Sequence, residues 1–141
     1  MYILDTDHMS LLERASSHEA QRLHFRLKKL LPEERVTTII SFEEQVRGWM
    51  SLLAKARDLE QQIFAYEKLK RSLNNYGKIE VLDFNNRTAM QFEQLQKQRI
   101  RIGTMDLKIA AIAIANDAIL LSRNLKDFGK VPGLKVEDWA M

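Results

Sequence analysis

The chain has 141 residues, enough for one domain that buries roughly two-thirds of its unfolded surface. With 45% hydrophobic and 29% charged residues it is neither disordered nor fibrous in composition, and the lack of cysteine excludes a disulfide scaffold or a thiolate metal site. A net charge of +3 permits a nucleic-acid partner without pointing to one, and the cysteine-free composition fits a reducing, cytoplasmic setting.

The first element expected is a short apolar strand, Tyr2-Ile3-Leu4, that stops at Asp5. This start lacks the basic and long apolar regions of a secretory signal. Thr6 or Asp7 then caps a short helix through Leu11-Leu12. Ser16 and Glu19 have capping-box spacing and open a second helix, running to about Leu31 before Pro32. Val36 to Ile40 is β-branched throughout and reads as a buried strand, after which Ser41 and Glu44 again have capping-box spacing. Asp58 caps a long helix that ends at Asn75-Tyr76-Gly77, where glycine suits a left-handed C-cap.

Ile79 to Leu82 is the next strand, and a helix follows over about Asn86 to Gln98. Gly103-Thr104 lead into an Ala/Ile-rich helix from Asp106 to Ala115, apolar nearly all round and therefore packed deep. Its apolar run breaks at Asn116-Asp117, short of the roughly 20 residues that span a membrane. Ala118 to Leu121 is a further strand, and Leu134-Lys135-Val136 a short edge strand. Strands separated by helices predict an α/β fold, a mostly parallel sheet covered on both faces, in one domain over residues 1–141.

The acids draw attention by where they fall. Asp5 ends the first strand, and ligand sites of open parallel sheets lie outside the carboxyl ends of strands. It can equally accept backbone N–H bonds from the turn that follows. Glu44 would be the N3 residue of a helix capped by Ser41, a structural task. Glu43 and Glu44 point about 100° apart, and periodicity does not choose between them. Asp106 lies in the first turn of a buried helix, favoured there by the helix dipole, unless Thr104 is the cap and leaves it free. Asp127 follows the Ile119–Leu121 strand end. Asp7, Asp83 and Asp117 read most simply as turn or cap residues, and His8, His18 and His24 follow no ligand spacing. Oxygen-only donors in an incomplete cage suit Mg²⁺ or Mn²⁺.

These residues fall in four blocks that resemble the PIN-domain family, and specifically the VapC-type toxins of bacterial toxin–antitoxin pairs. The opening Met1 to Ser10 is similar to the family's first motif. In the second block, Thr38 to Gly48, a glutamate four residues before glycine selects Glu44 over Glu43. Arg101 to Ala110 resembles the third motif and assigns its aspartate to Asp106. Leu121 to Phe128, followed by Val131-Pro132-Gly133-Leu134, looks like the fourth. Many relatives carry asparagine where this chain has Asp7.

The resemblance implies a three-layer sandwich with a central sheet of four to five strands. It implies an endoribonuclease acting on single-stranded or looped RNA, often tRNA, and silenced by a VapB-like antitoxin. Asp5, Glu44, Asp106 and Asp127 would be the catalytic, metal-holding acids for one or two Mg²⁺ or Mn²⁺ ions. Thr104 and Ser122 would orient carboxylates or waters, and Arg99 and Arg101 would position the RNA backbone. The competing readings are a nuclease for other structured nucleic acids and a catalytically weak RNA- or protein-binding module. The helices around Arg22–Leu31 and Ser41–Leu53 would leave a groove for an antitoxin segment, or else complete the core or a homodimer contact.

Overall fold

The computed structural model describes residues 1–14 and 16–141. Five short strands form one sheet in the order β3-β2-β1-β4-β5, where β1 is Tyr2–Leu4, β2 Arg35–Thr38, β3 Glu80–Leu82, β4 Ile119–Leu121 and β5 Lys135–Glu137. Every neighbouring pair is parallel, so the sheet is wholly rather than mostly parallel. Parallel neighbours need crossovers, and helices supply them on both faces.

Side chains alternate across the sheet and split the core in two. Ile3, Val36 and Leu120 face a layer built on α5 (Asn86–Lys97) and α6 (Thr104–Ala115). Tyr2, Leu4, Ile119 and Leu121 face the other layer, with α1 (Thr6–Leu12), α2 (His18–Leu27) and the C-terminal Trp139. A helical hairpin, α3 (Ile39–Ala54) and α4 (Leu59–Tyr76), extends from β2 to β3. The Trp49 indole N–H donates to the buried Ser72 hydroxyl (2.9 Å), and Phe42 meets Tyr76 edge-on at 5.2 Å. The α6 helix is apolar on every side, and Leu107, Ile109 and Ala110 to Ala113 are all buried.

Several boundaries differ from the sequence expectation, each for a local reason. The second strand stops at Thr38, whose hydroxyl oxygen accepts the Ser41 N–H (3.1 Å) and turns the chain into α3. Ile39 and Ile40 are thus the first helical residues, not the last of a strand. The Ser41 capping box does not exist, and Glu44 sits one turn further into the helix than its spacing suggested.

The first helix is capped by Asp5 itself, and the second by Ser17 rather than Ser16. That second helix ends at Leu27, where the Arg35 guanidinium takes the Leu27 carbonyl (3.0 Å), before Pro32 can act. Gly77 closes α4 with φ −73°, so no left-handed cap is used there. A final short helix, α7 (Leu125–Phe128), follows β4.

The Thr38 cap yields a stability test. Thr38→Val keeps the buried shape, removes the acceptor, and should lower unfolding free energy by about 1–2 kcal/mol in urea titration. Ser41→Ala leaves the cap acceptor intact and should cost less.

Candidate metal centre

In the order β3-β2-β1-β4-β5 the chain moves one way from β1 to β3 and the other way through β4 and β5. The reversal between β1 and β4 opens a crevice outside their carboxyl ends. Asp5 stands at that point, its backbone N–H donating to the Leu121 carbonyl at the end of β4 (3.1 Å). A cavity of about 250 Å³ lies there, lined by Asp5, Thr6, Asp7, Glu44, Asp106, Asn124 and Phe128.

Four elements bring these groups together. Asp5 is 5% exposed, and its Oδ1 accepts the His8 backbone N–H (2.9 Å), which leaves Oδ2 outside that cap. The backbone-accepting role of Asp5 is therefore observed, one oxygen capping α1, while the residue also lines the cavity. Glu44 reaches the same cavity from α3, with Oε1 accepting the Thr6 hydroxyl proton (2.7 Å). Glu43 points to the surface and pairs with Arg47 (2.6 Å). Asp106 is the third residue of α6, which Gly103 caps without a side-chain bond. Thr104 is therefore not the cap.

Burial first, and then neighbouring negative charge, raises the proton affinity of three of these acids. Burial, then the charges of Glu44, Asp5, Asp127 and Asp7, push Asp106 up to about 6. Glu44 is shifted up by burial and by Asp5, Asp7 and Glu43, against the Thr6 hydrogen bond. Asp7 moves up through burial and Asp5, with Arg123 and Arg14 opposing. Among the described residues no three Asp, Glu or His side chains gather into a ready-made cation cage. Repulsion among like charges favours such spacing, and a divalent cation would offset it. Hard oxygen donors on several elements, with no sulfur or imidazole facing the cavity, fit Mg²⁺ or Mn²⁺ chemistry.

The remaining expected site residues lie around this cavity rather than in it. Asp127 is in α7, where Oδ2 accepts from the Asn124 amide (3.0 Å) and Oδ1 from Lys130 (3.4 Å). Those bonds hold its carboxyl below the usual range. The residue that the β4 end delivers to the cavity is Asn124, not Asp127. Ser122 is fully buried and its hydroxyl oxygen accepts the Asn124 N–H (2.9 Å), so it shapes that turn. Thr104, Arg99 and Arg101 are exposed; Arg99 takes a left-handed φ of 55°, and the Arg101 carbonyl accepts from Lys130 (3.3 Å).

Asp7 lines the cavity from the first turn of α1, beyond the turn or cap role that its sequence position suggests. Asn124 carries no charge, so the rule of acids at strand ends does not single it out. Its spacing to Asp127, that of a side-chain N-cap, was the available signal. A larger cavity, about 650 Å³, lies elsewhere, between α2 and the α4–β3 turn, with Leu4, Leu27, Lys28, Asn75 and Ile79 among its walls. It takes one wall from the 22–31 segment that the sequence suggests as a groove wall, and the other from the α4–β3 turn rather than from residues 41–53.

A raised carboxyl pKa means the folded state holds its proton more tightly than the unfolded chain. Its ionisation therefore removes stability as pH rises from the ordinary 3.8 through about 6. Without divalent ions, Asp106→Asn should be more stable than wild type at pH 7, and the gap should close towards pH 4. Urea unfolding at several pH values in EDTA measures it, and added Mg²⁺ should narrow the gap at pH 7.

Comparison with known proteins places the chain in a family. The PIN domain matches residues 2–134. Ribonuclease VapC1 of Haemophilus influenzae is 29% identical over 144 aligned positions, covering 99% of this chain and 98% of that protein. The tRNA(fMet)-specific endonuclease VapC of Salmonella typhimurium is 32% identical over 67 positions, 45% of this chain and 51% of that one. The solved structure of VapBC-1 from nontypeable Haemophilus influenzae superposes with a TM-score of 0.69 at 27% identity, over 99% of this chain and 98% of its counterpart. With the family match covering residues 2–134, and so four of the five strands and all the cavity-lining acids, the chain belongs to the PIN-domain family.

Proposed function

We propose that this chain is an endoribonuclease, the toxin of a VapBC-type toxin–antitoxin pair, and that residues 1–141 act as one nuclease domain. The observation that carries the reading is the meeting of Asp5, Glu44 and Asp106 in one small polar cavity at the sheet's switch point. A relative that matches the chain end to end is named a ribonuclease, and another is named for a tRNA. RNA is therefore the substrate, with tRNA the first to try.

In this reading Asp5, Glu44 and Asp106 hold Mg²⁺ or Mn²⁺, and Asp127 acts from the rim through Asn124. A bound divalent ion supplies an acidified water and neutralises charge on the phosphate oxygens. The chain's own groups do the rest. The Thr6 hydroxyl fixes one Glu44 oxygen and leaves the other without that bond. The Asn124 amide bridges from the cavity to Asp127. Arg123, Arg101 and Arg99 are exposed cations placed to attract a polyanionic backbone.

Partner binding has its own support. The α4 helix leaves Leu59, Ile63, Phe64, Tyr66 and Leu73 exposed, an apolar surface suited to a VapB-like antitoxin or a second copy of the chain. Among the described residues no helix is long and apolar enough to cross a membrane.

Purified protein should cleave RNA with Mg²⁺ or Mn²⁺ and stop when EDTA is added. Asp5→Asn, Glu44→Gln and Asp106→Asn should each reduce the rate by about 100-fold or more, beyond the usual effect of an outer partner. Asp127→Asn should fall within about 10–100-fold, the outer-partner range. Wild-type cleavage by Asp5→Asn would sink the site, and metal-insensitive RNA binding without cleavage would favour a binding module. Co-expression with a VapB-like protein should yield a complex in which cleavage is suppressed.

A further inference from the structure

His8 is the one fully buried imidazole in contact with the candidate centre, and no role above uses its ring. It is the third residue of α1 and is 0% exposed. Its Nε2 accepts the backbone N–H of Trp139 (3.3 Å). A backbone N–H can only donate, so Nε2 carries the lone pair and the ring proton belongs on Nδ1. That Nδ1 has no hydrogen-bond partner of good geometry, and it faces Asp5 Oδ1 at 3.5 Å. The other nearby carboxylate, Asp138, is 3.8 Å from Nε2, and its Oδ1 already accepts the Ala140 N–H (2.8 Å). A buried N–H left without an acceptor is costly, which directs this one at Asp5.

The ring is in turn held by a strap at the C-terminus. Trp139 is buried against Tyr2 (4.7 Å between ring centroids), under the Arg26 guanidinium (4.3 Å). The Arg22 Nε–H donates to the Ala140 carbonyl (2.8 Å). Trp139 and Ala140 lie beyond the 2–134 span of the family match.

We propose that His8 is a positioning residue for the metal centre: anchored through Nε2 to the Trp139 backbone, it donates from Nδ1 to Asp5 Oδ1. With the His8 backbone N–H on the same oxygen, Oδ1 is committed to the protein and Oδ2 is the oxygen left for the cavity that Asp5 lines. A ligand carboxylate fixed this way loses less freedom on binding a cation, which is how outer partners raise affinity. The proposal rests on the metal-site reading above.

The test uses two substitutions that divide the ring's tasks. Asn places an amide N–H near the Nδ1 position and gives Trp139 no acceptor. Gln places its amide near the Nε2 position and gives Asp5 no donor. Mn²⁺ binding to the full chain, followed by the loss of the free-ion EPR signal, should weaken about tenfold or more in His8→Gln and well under tenfold in His8→Asn. Equal weakening in both, or wild-type binding in His8→Gln, overturns the role.

A wild-type measurement covers the case of variants that do not fold. Nitrogen NMR of His8 should show the Nδ1–H tautomer, with that resonance moving when Mg²⁺ is added. An Nε2–H tautomer overturns the proposal. If wild type binds no Mn²⁺, or Asp5→Asn binds it equally well, the metal-site reading fails and this proposal falls with it. If wild type binds and only the His8 pattern is wrong, the positioning role alone fails.

Discussion

The hydrogen bond from the Asp5 N–H to the Leu121 carbonyl joins β1 to β4 where the sheet changes direction, and the site depends on it. It carries the parallel ladder one residue past β1, so that the Asp5 side chain emerges where the two crossovers diverge. The same residue then starts α1 by accepting the His8 N–H. One aspartate therefore ends a strand, caps a helix and faces the crevice. Because these tasks use different atoms, they do not compete.

Crowding acids around that crevice works against stability. Asp5, Asp7, Glu44 and Asp106 share one small cavity, and the effect shows in the upward shifts of Asp7, Glu44 and Asp106. Stabilisation comes from the apolar layers on either side. The α6 helix, which carries Asp106, is buried along most of its length, so its first turn cannot swing away from its neighbours' charges. On the opposite layer, the strap around Trp139 closes over α1 beside His8. Repulsion is thus built in beside the buried layers, the kind of departure from local stability that folds concentrate at functional sites.

The placement of Glu44 shows how a cap decides chemistry. A capping box at Ser41 would have tied its carboxylate to the backbone. Thr38 takes the capping role instead, three residues earlier, and Glu44 moves into the second turn, where Thr6 is its partner. Thr38 prevails because its hydroxyl already sits at the strand end, fully buried, where a free N–H needs an acceptor. At Gly48, which the motif spacing relies on, an added Cβ would meet nothing within 4 Å, and the structure gives no steric reason for glycine.

Short-range chemistry and strand-end position were legible in the amino acids alone. Alternating strands and helices, the buried run from Leu107 to Ala113 and the acids after β1 and at the start of α6 all follow from periodicity and residue type. Motif resemblance added the choice of Glu44. What depended on contacts between distant segments was not legible. That Asn124 and not Asp127 lines the cavity is set by how the β4 turn packs on Ser122, and Asp7 joins it because α1 starts at Asp5. The coupling of His8 to Trp139 spans 131 residues. A local pattern reports the order of elements and which residues suit their ends; only the packed chain decides which end meets which, because that choice is made by burial and hydrogen bonding across the sheet.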